Sequence, residues 1–498
     1  MSIALHLDPE VCYRALITRD ARFDGRFFTA VRTTGIYCRP ICPAPTPKPA
    51  HVTFYRSAAA AEAAGFRSCL RCRPERAPET TLSTGSARLV EQAMVLIAEG
   101  ETGEGNDEAG LAARLGIGER QLRRLFQSHL GASPKALAQT RRNLLARQLV
   151  AETDLPLTEV ALAAGFGSLR RFNTVFRDLY GRPPSEMRRA KGRQAEPGLV
   201  LSLPLRPPYE WAGVMSLLAA HAIPGVEQVS PACYARVIAV EGQYGTVEVW
   251  QEDATSLRAR INFPALRMLP RIVARLRRIF DLGADPVPID AWLGQDPALA
   301  GLVVLRPGMR VPGAWDPFEL AVRVILGQQV SVAAGSRMAG WLATEFGTLV
   351  ETRVAGLTAL FPPAVVLAAV APDAISLALN MPRARGAAIV NLARAVVETP
   401  GLLMRGDGLD IAQRRLCAVP GIGPWTAQCI ALFALRETDA FPVGDVGLQR
   451  AIGLPATALA ARAEQWRPWR AYAATHLWMV ALGLSPAPER ISHEDAVA

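Results

Sequence analysis

Residues 416–448, LCAVPGIGPWTAQCIALFALRETDAFPVGDVGL, hold the densest run of structural signals in the chain. They read as a helix, a glycine-rich hairpin at 419–423, a second helix and a loop that ends on an acid. Gly421 and Gly423 let the backbone turn sharply and bring N–H groups close to a ligand. Those amides open the next helix, and a helix N-terminus with exposed N–H groups favours an anion such as a phosphate. Pro424 suits the first helical turn, where its missing N–H costs nothing. Trp425 and Asp445, twenty positions apart (445 − 425), then bracket a pocket with an aromatic face and a carboxylate. On spacing alone a plainer reading stands beside this one, with Trp425 in a core and Asp445 as the N-cap of a helix over 446–452.

The stretch resembles the helix-hairpin-helix and Gly/Pro-Asp element of base-excision DNA glycosylases. PGIGPWTAQ and FPVGDVGL are similar to the alkylpurine glycosylases of the AlkA family, and the resemblance extends over about residues 199–484. It implies that Asp445 is the catalytic acid, set against the oxocarbenium-like charge that develops as an N-glycosidic bond breaks. It implies a pocket lined by Trp425 and Trp478, whose electron-rich faces attract cationic alkylpurines by about 0.5–2 kcal/mol each. WDPFELAVRVILGQQVSVAAGSRMAGWL resembles the family's helix pair next to the lesion, with Gln328 matching the family glutamine. Gln329 stands where the family has a wedging leucine, and Cys429 where it has a pocket tyrosine. A glutamine can fill the gap left by a flipped base, although both glutamines could equally cap a contact between helices. Strand-cutting relatives carry a Schiff-base lysine at position 425, so the tryptophan implies a monofunctional enzyme that leaves an abasic site. No cysteine follows Cys429, so no iron–sulfur cluster is expected. A monovalent cation at the hairpin is a further expectation.

The chain is 498 residues long, which suggests about three or four domains. It has no run of about 18 apolar residues that could span a membrane. The acidic start, MSIALHLDPE, offers no signal peptide, so a cytoplasmic, nucleoid-associated protein is predicted. The net charge of +10 favours a polyanion. Lysine occurs only at 48, 135 and 191, so arginine carries that charge, which suits bidentate phosphate contacts.

Of eight cysteines, four are clustered: Cys38-x3-Cys42, then 26 residues, then Cys69-x2-Cys72. Two short loops that each present a pair of sulfurs suit tetrahedral zinc better than disulfides in a cytosolic chain. Four thiolates on a divalent cation leave a net charge of about −2 and an electron-rich sulfur that can accept a methyl group. A zinc knuckle with a purely structural role fits the same spacing. FFTAVRTTGIYCRPICPAPTPKPAHVTFY and AAAEAAGFRSCLRCRPE resemble the N-terminal domain of the Ada family over most of residues 8–76. That resemblance implies that Cys38 takes a methyl group from a DNA methylphosphotriester and that Cys42, Cys69 and Cys72 complete the ligand set. Methylation would remove negative charge and so raise affinity for DNA. No basic residue lies between Cys42 and Lys48, so Arg32, Arg39, Arg67, Arg71 and Arg73 are expected to carry the DNA affinity of this domain.

Apolar residues at 89, 93, 96 and 97 have helical spacing. Two related segments follow. Residues 111–118 lead into a helix over 119–130, and residues 157–167 lead into one over 168–180. Each is a short apolar helix, a glycine turn and an arginine-bearing helix, the pattern of a helix-turn-helix. The candidate DNA contacts are Arg123 and Arg124 with Arg120 in the first unit, and Arg170 and Arg171 with Arg177 in the second. A helical bundle with a basic solvated face would show the same periodicity. AGFGSLRRFNTVFRDLYGRPPSEMRR resembles the AraC-type activator domain over about residues 88–190 and implies promoter binding.

A strand over 199–205, a helix face of Trp211, Val214, Met215 and Leu218, a strand over 246–250 and a helix over 271–280 suggest an α+β layer. The predicted fold is therefore multidomain, α and α+β. A zinc domain spans 1–78, a helical double helix-turn-helix domain 86–192, an α+β layer 199–285 and an all-α helix-hairpin-helix domain 286–498. The expected partners are double-stranded DNA with alkylated bases or methylated phosphates, promoter DNA and RNA polymerase, with no membrane and a monomeric chain. The expected enzyme is of the DNA-3-methyladenine glycosylase II type, joined to a suicidal methylphosphotriester methyltransferase. A damage-sensing activator whose C-terminal half binds lesions without catalysis is the alternative.

Overall fold

The computed structural model describes residues 7–78, 87–99, 108–188, 197–405 and 408–485. The proposed polar linker at 79–86 and most of the one at 188–198 lie outside the described residues. The chain packs as two units. One comprises Met1–Pro207, Thr255–Arg277 and Leu282–Ala284, the other Pro208–Ala254, Arg278–Asp281 and Asp285–Ala498.

The first unit opens with a helix, Pro9–Thr18, capped by the Asp8 carboxylate. A four-stranded sheet follows, ordered β3-β1-β2-β4 and made of β1 (Phe28–Val31), β2 (Ile36–Cys38), β3 (Val52–Tyr55) and β4 (Arg67–Ser68). β1 pairs antiparallel with β2 and β3, and β2 pairs parallel with β4. This topology carries Cys38 at the end of β2 to the side of Cys69, one residue beyond β4. Phe28, Ala30, Tyr37, Ala58 and Ala61 form the small core behind it.

The helical part of this unit matches the sequence periodicity closely. The helices run Ala87–Ala98, Glu108–Arg114, Glu119–Leu130, Pro134–Glu152, Leu157–Ala163 and Leu169–Tyr180. Leu122, Leu125, Phe126 and Leu130 are buried along one face of the Glu119–Leu130 helix; Phe172, Phe176 and Tyr180 do the same in the Leu169–Tyr180 helix. Such i, i+4 stripes leave the intervening arginines on the opposite face. An aromatic ladder, Phe166–Phe172–Phe176–Tyr180, with centroids 5.3, 5.0 and 4.7 Å apart, makes the second stripe rigid. β5 (Leu199–Pro204) ends the helical stretch.

In the second unit β6 (Glu227–Val229), β7 (Tyr234–Val240) and β8 (Gln243–Asp253) form successive antiparallel pairs. The chain then returns to the first unit as β9 (Ser256–Asn262), which pairs antiparallel with β5. The helix Trp211–Ala220 buries Val214, Met215 and Leu217, so Leu217 takes the core place expected of Leu218. From residue 286 onward the second unit is helical, with one addition, the pair β10 (Thr348–Leu349) and β11 (Ala359–Leu360). Two-residue strands are too short to show a period of two.

A buried charge cluster joins the strands of this unit to the Pro317–Leu326 helix. Arg236 pairs with Glu227 at 3.3 Å and Glu319 at 2.8 Å, while Arg323 pairs with Glu227 at 3.5 Å. Buried charges persist only when paired and hydrogen-bonded, so the network holds the helix in one register. That helix leads directly into Gln328.

Candidate functional site

In the first unit all four clustered cysteines are buried and unbridged, and their sulfurs lie within 4.8 Å of one another. A tetrahedral ZnS4 site with Zn–S of about 2.3 Å has S–S edges of about 3.8 Å, so this donor set fits zinc. Backbone amides reinforce it: Arg39 N–H donates to Cys72 Sγ at 3.3 Å and Arg71 N–H to Cys69 Sγ at 3.4 Å. Such donors offset the charge of a thiolate-rich centre. Cys38 is the most exposed of the four, at 9% against 6–7%.

Two of the five arginines expected to meet DNA in this domain are committed elsewhere. Arg39 donates through Nε to Asp24 Oδ1 at 2.8 Å and through NH1 to the Cys72 carbonyl, which fixes the ligand loop. Arg73 pairs with Glu75 at 2.9 Å and with Glu152 at 3.4 Å. The pairings with Asp24 and Glu152 left no mark on the motif, because those acids lie 15 and 79 residues away along the chain, whereas Glu75 is two residues from Arg73. Arg32, Arg67 and Arg71 remain exposed.

The helix-turn-helix arginines Arg120, Arg123, Arg124, Arg170, Arg171 and Arg177 are all exposed. Arg123 is also held by Glu108 at 2.5 Å and Glu119 at 3.1 Å. It must exchange those partners to contact a phosphate, whereas an exposed pair of this kind is worth only about 0–1 kcal/mol.

In the second unit the sequence stretch folds as a helix (Leu409–Cys417), a hairpin and a second helix (Pro424–Phe433). Gly421 has φ of +93°, and a Cβ there would lie 2.4 Å from the Ala388 Cβ, so the hairpin needs this glycine to pack on the Arg383–Glu398 helix. Gly423 differs: its backbone is extended and a Cβ would meet nothing within 4 Å. The fold therefore leaves the face in front of Gly423 open for a ligand to approach the amides of the Pro424–Phe433 helix.

Asp445 is the N-cap of the plainer reading and at the same time meets both tryptophans. Oδ1 caps the Val446–Ile452 helix by accepting the Leu448 N–H at 2.9 Å. The same carboxylate accepts both indoles, Trp425 Nε1 on Oδ2 at 3.1 Å and Trp478 Nε1 on Oδ1 at 3.3 Å. Three donors from three helices thus fix its orientation while it stays partly exposed. A Cβ on Gly447 would sit 3.0 Å from Asp445 Oδ1, so the glycine of DVGL keeps space beside the acid.

Three neighbours carried no signal in the sequence. Phe433 stacks on Trp478, with centroids 5.3 Å apart and an interplanar angle of 24°. The buried Thr426 hydroxyl accepts from Gln328 Nε2 at 2.8 Å, and Arg385 donates to the Gln328 carbonyl at 2.6 Å. Gln328 is thereby tied to the helix that carries Trp425. Gln329 is exposed at the adjoining turn with φ of +56°, a left-handed conformation uncommon outside glycine. Cys429 is buried, and burial together with the nearby Asp445 charge pushes its thiol well above the ordinary range. It is a neutral space-filler under the site.

Three family models match the chain: the metal binding domain of Ada over residues 11–75, a helix-turn-helix domain over 111–190 and the AlkA N-terminal domain over 200–316. The chain is 42% identical over 485 residues to the "Probable bifunctional transcriptional activator/DNA repair enzyme AlkA" of Mycobacterium tuberculosis, across 95% of this chain and 97% of that one. It is 36% identical over 277 residues to DNA-3-methyladenine glycosylase 2 of Escherichia coli, across 55% of this chain and 94% of that one. The solved 3-methyladenine DNA-glycosylase from Archaeoglobus fulgidus shares the fold with a TM-score of 0.51 at 21% identity, over 57% of this chain and 99% of that one. The four buried cysteines form a zinc site. No helix among the described residues is long and apolar enough to cross a membrane.

Proposed function

Since the chain belongs to the family of bifunctional transcriptional activator/DNA repair enzymes, we propose that it repairs alkylated DNA and regulates that repair. The residue ranges 1–78, 86–192, 199–285 and 286–498 serve as its zinc, helix-turn-helix, supporting and glycosylase domains. The last of these hydrolyses the N-glycosidic bond of alkylated purines of the 3-methyladenine and 7-methylguanine type and leaves an abasic site, the reaction of a DNA-3-methyladenine glycosylase II.

The observation that carries this reading is the Asp445 carboxylate, clamped by two indole N–H groups beside the hairpin. Its negative charge faces the positive charge that grows on the sugar as the bond breaks, and it orients the attacking water. The clamp leaves the Trp425 face, and the Trp478 face turned away from Phe433, for a cationic base. Gln329 enters the duplex at the flipped nucleotide, Gln328 holds the turn that presents it, and the amides that follow Gly421 and Gly423 hold a backbone phosphate, with a monovalent cation at the hairpin.

In the zinc domain, bound zinc keeps the four sulfurs as thiolates. Cys38 Sγ attacks the methyl carbon of a methylphosphotriester, an S–C bond forms, the C–O bond breaks and the phosphodiester anion leaves. Arg123, Arg124, Arg170 and Arg171 contact promoter DNA, and the activator works as a monomer on RNA polymerase at the nucleoid.

Chromatography of bases freed from methylated duplex DNA tests the reading. Wild type releases 3-methyladenine and Asp445→Asn does not. If neither frees a base, the C-terminal half is the lesion-binding module of a damage-sensing activator.

A further inference from the structure

Both arginine-bearing helices of the helix-turn-helix units end on a glycine, and both ends rest on the zinc domain. The first, Glu119–Leu130, closes at Gly131 and the second, Leu169–Tyr180, at Gly181, each with φ of +68°. A Cβ on Gly131 would lie 3.3 Å from the Ala60 Cβ, and one on Gly181 would lie 3.4 Å from Arg67 NH1. The last carbonyls of a helix have no partner within it. At the first helix the zinc domain supplies the donors: Ser57 Oγ bonds the Leu130 carbonyl at 2.8 Å and Arg56 NH1 the Ser128 carbonyl at 2.6 Å.

The second helix is anchored through Arg147 of the intervening Pro134–Glu152 helix. This buried guanidinium donates to the Cys69 carbonyl at 3.0 Å and Ser68 Oγ at 3.2 Å, pairs with Glu75 at 3.0 Å and lies 5.4 Å from the centre of the Tyr180 ring. One side chain therefore bridges a metal-ligand residue and the end of the second helix. The intervening helix is pinned further by Thr140 on Glu62 at 2.6 Å and by Arg73 and Arg76 on Glu152.

We propose that the zinc domain is a bracket that sets the spacing between the two DNA-reading helices, with Ser57 and Arg147 as its positioning residues. Helices held only by a linker tolerate half-sites at several spacings; two helices whose C-terminal ends both rest on one rigid body accept a single spacing. The bracket makes the zinc domain a determinant of DNA sequence choice in its own right, apart from any change in its charge. The proposal rests on the reading that both helices contact bases.

The test uses the full zinc-loaded chain and a duplex selected from a random pool by the wild type. Hydroxyl-radical footprints then compare wild type, Ser57→Ala and Arg147→Met, each accepted only with one zinc per chain and unchanged circular dichroism. Arg147→Met is expected to lose protection at the second unit's half-site, to bind at least tenfold more weakly and to accept half-sites moved by one base pair as readily as the selected spacing. Ser57→Ala loses protection at the first half-site. Arg147→Lys, which keeps the charge, recovers part of the spacing preference. In a second arm, amide exchange of the wild type is expected to speed up at 127–131 and 177–181 when zinc is chelated, but not at 446–452.

Wild-type spacing preference and affinity in Arg147→Met would overturn the bracket, as would exchange at the two helix ends that ignores chelation. If the wild type selects no sequence, the reading of the helices as base readers falls, and the exchange arm still decides the bracket.

Discussion

The zinc site and the Asp445 site of this chain are assembled in opposite ways. The four sulfurs of the zinc site come from a span of 35 residues, 38 to 72, on loops that a small sheet brings together. The core behind them is thin, five residues of which two are alanines on one short helix. The Asp445 site draws on residues 328, 425, 426, 433, 445 and 478, and helix packing alone holds it. A core this thin depends on bound metal for stability, whereas hydrogen bonds and packing between helices hold the Asp445 site, with Gln329 in a left-handed turn beside it. On the proposed function the first site is methylated once, while the second turns over and needs its geometry fixed in advance.

Metal loss should sharpen the contrast most. Structural zinc contributes on the order of 10 kcal/mol to small domains, so Cys69→Ser or chelation should unfold residues 7–78 and leave the C-terminal unit intact. Calorimetry checks this, with the low-temperature transition lost and the high-temperature one retained. A zinc domain that melted unchanged would break the contrast.

The next largest effect falls on the other centre. Asn replaces Asp as an N-cap at little cost. Asp445→Asn keeps the cap but turns an NH2 donor toward one indole N–H, so stability should fall by about 1–2 kcal/mol while base release falls by roughly 10²–10⁴-fold. Single-turnover rates together with melts separate these two consequences.

Stability should also respond to pH. Burial, then the Arg306 charge, lowers His476 to about 4. Below the ordinary imidazole value of about 6.5 the unfolded chain takes up a proton that the folded chain refuses, so stability is lost as pH falls from about 6.5 towards 4. At pH 5 the loss amounts to about 2 kcal/mol. Burial raises Asp290 to about 6, and its slope over the range from about 4 to 6 has the opposite sign. Urea melts should therefore compare wild type with His476→Gln at pH 7 and pH 5, where Asp290 cancels and the variant should lack the imidazole-dependent part.

The smallest effect tests the clamp itself. Trp478→Phe keeps an aromatic face against Phe433 and removes one 3.3 Å bond to Asp445. A hydrogen bond to a charged group at this distance is worth about 1 kcal/mol, so the rate should fall roughly five-fold with KM little changed. A fall as large as that of Asp445→Asn would mean that the indole does more than orient the acid.

Much of this was legible in the chain. The helix over 119–130 and the helix after Asp445 were read at the bounds the structure gives, because amphipathic stripes and caps are local. The cysteine cluster was legible because two close pairs leave few alternatives. Arg39 and Arg73 were read as carriers of DNA affinity, and their pairing with Asp24 and Glu152 was not legible, since opposite charges far apart in sequence carry no register, whereas Glu75 lies two residues from Arg73.

The sequence by itself determined the order of the parts and the cysteine set of the metal site and singled out Asp445 as the candidate acid, since each depends on residue type at short spacing. Tertiary structure alone decided that Asp445 is both cap and clamped carboxylate, that Gln328 is tied to Thr426, and that Ser57 and Arg147 join the zinc domain to both arginine-bearing helices. Those contacts depend on the approach of elements tens to hundreds of residues apart. That approach is settled by how buried surfaces fit together, which no local pattern encodes.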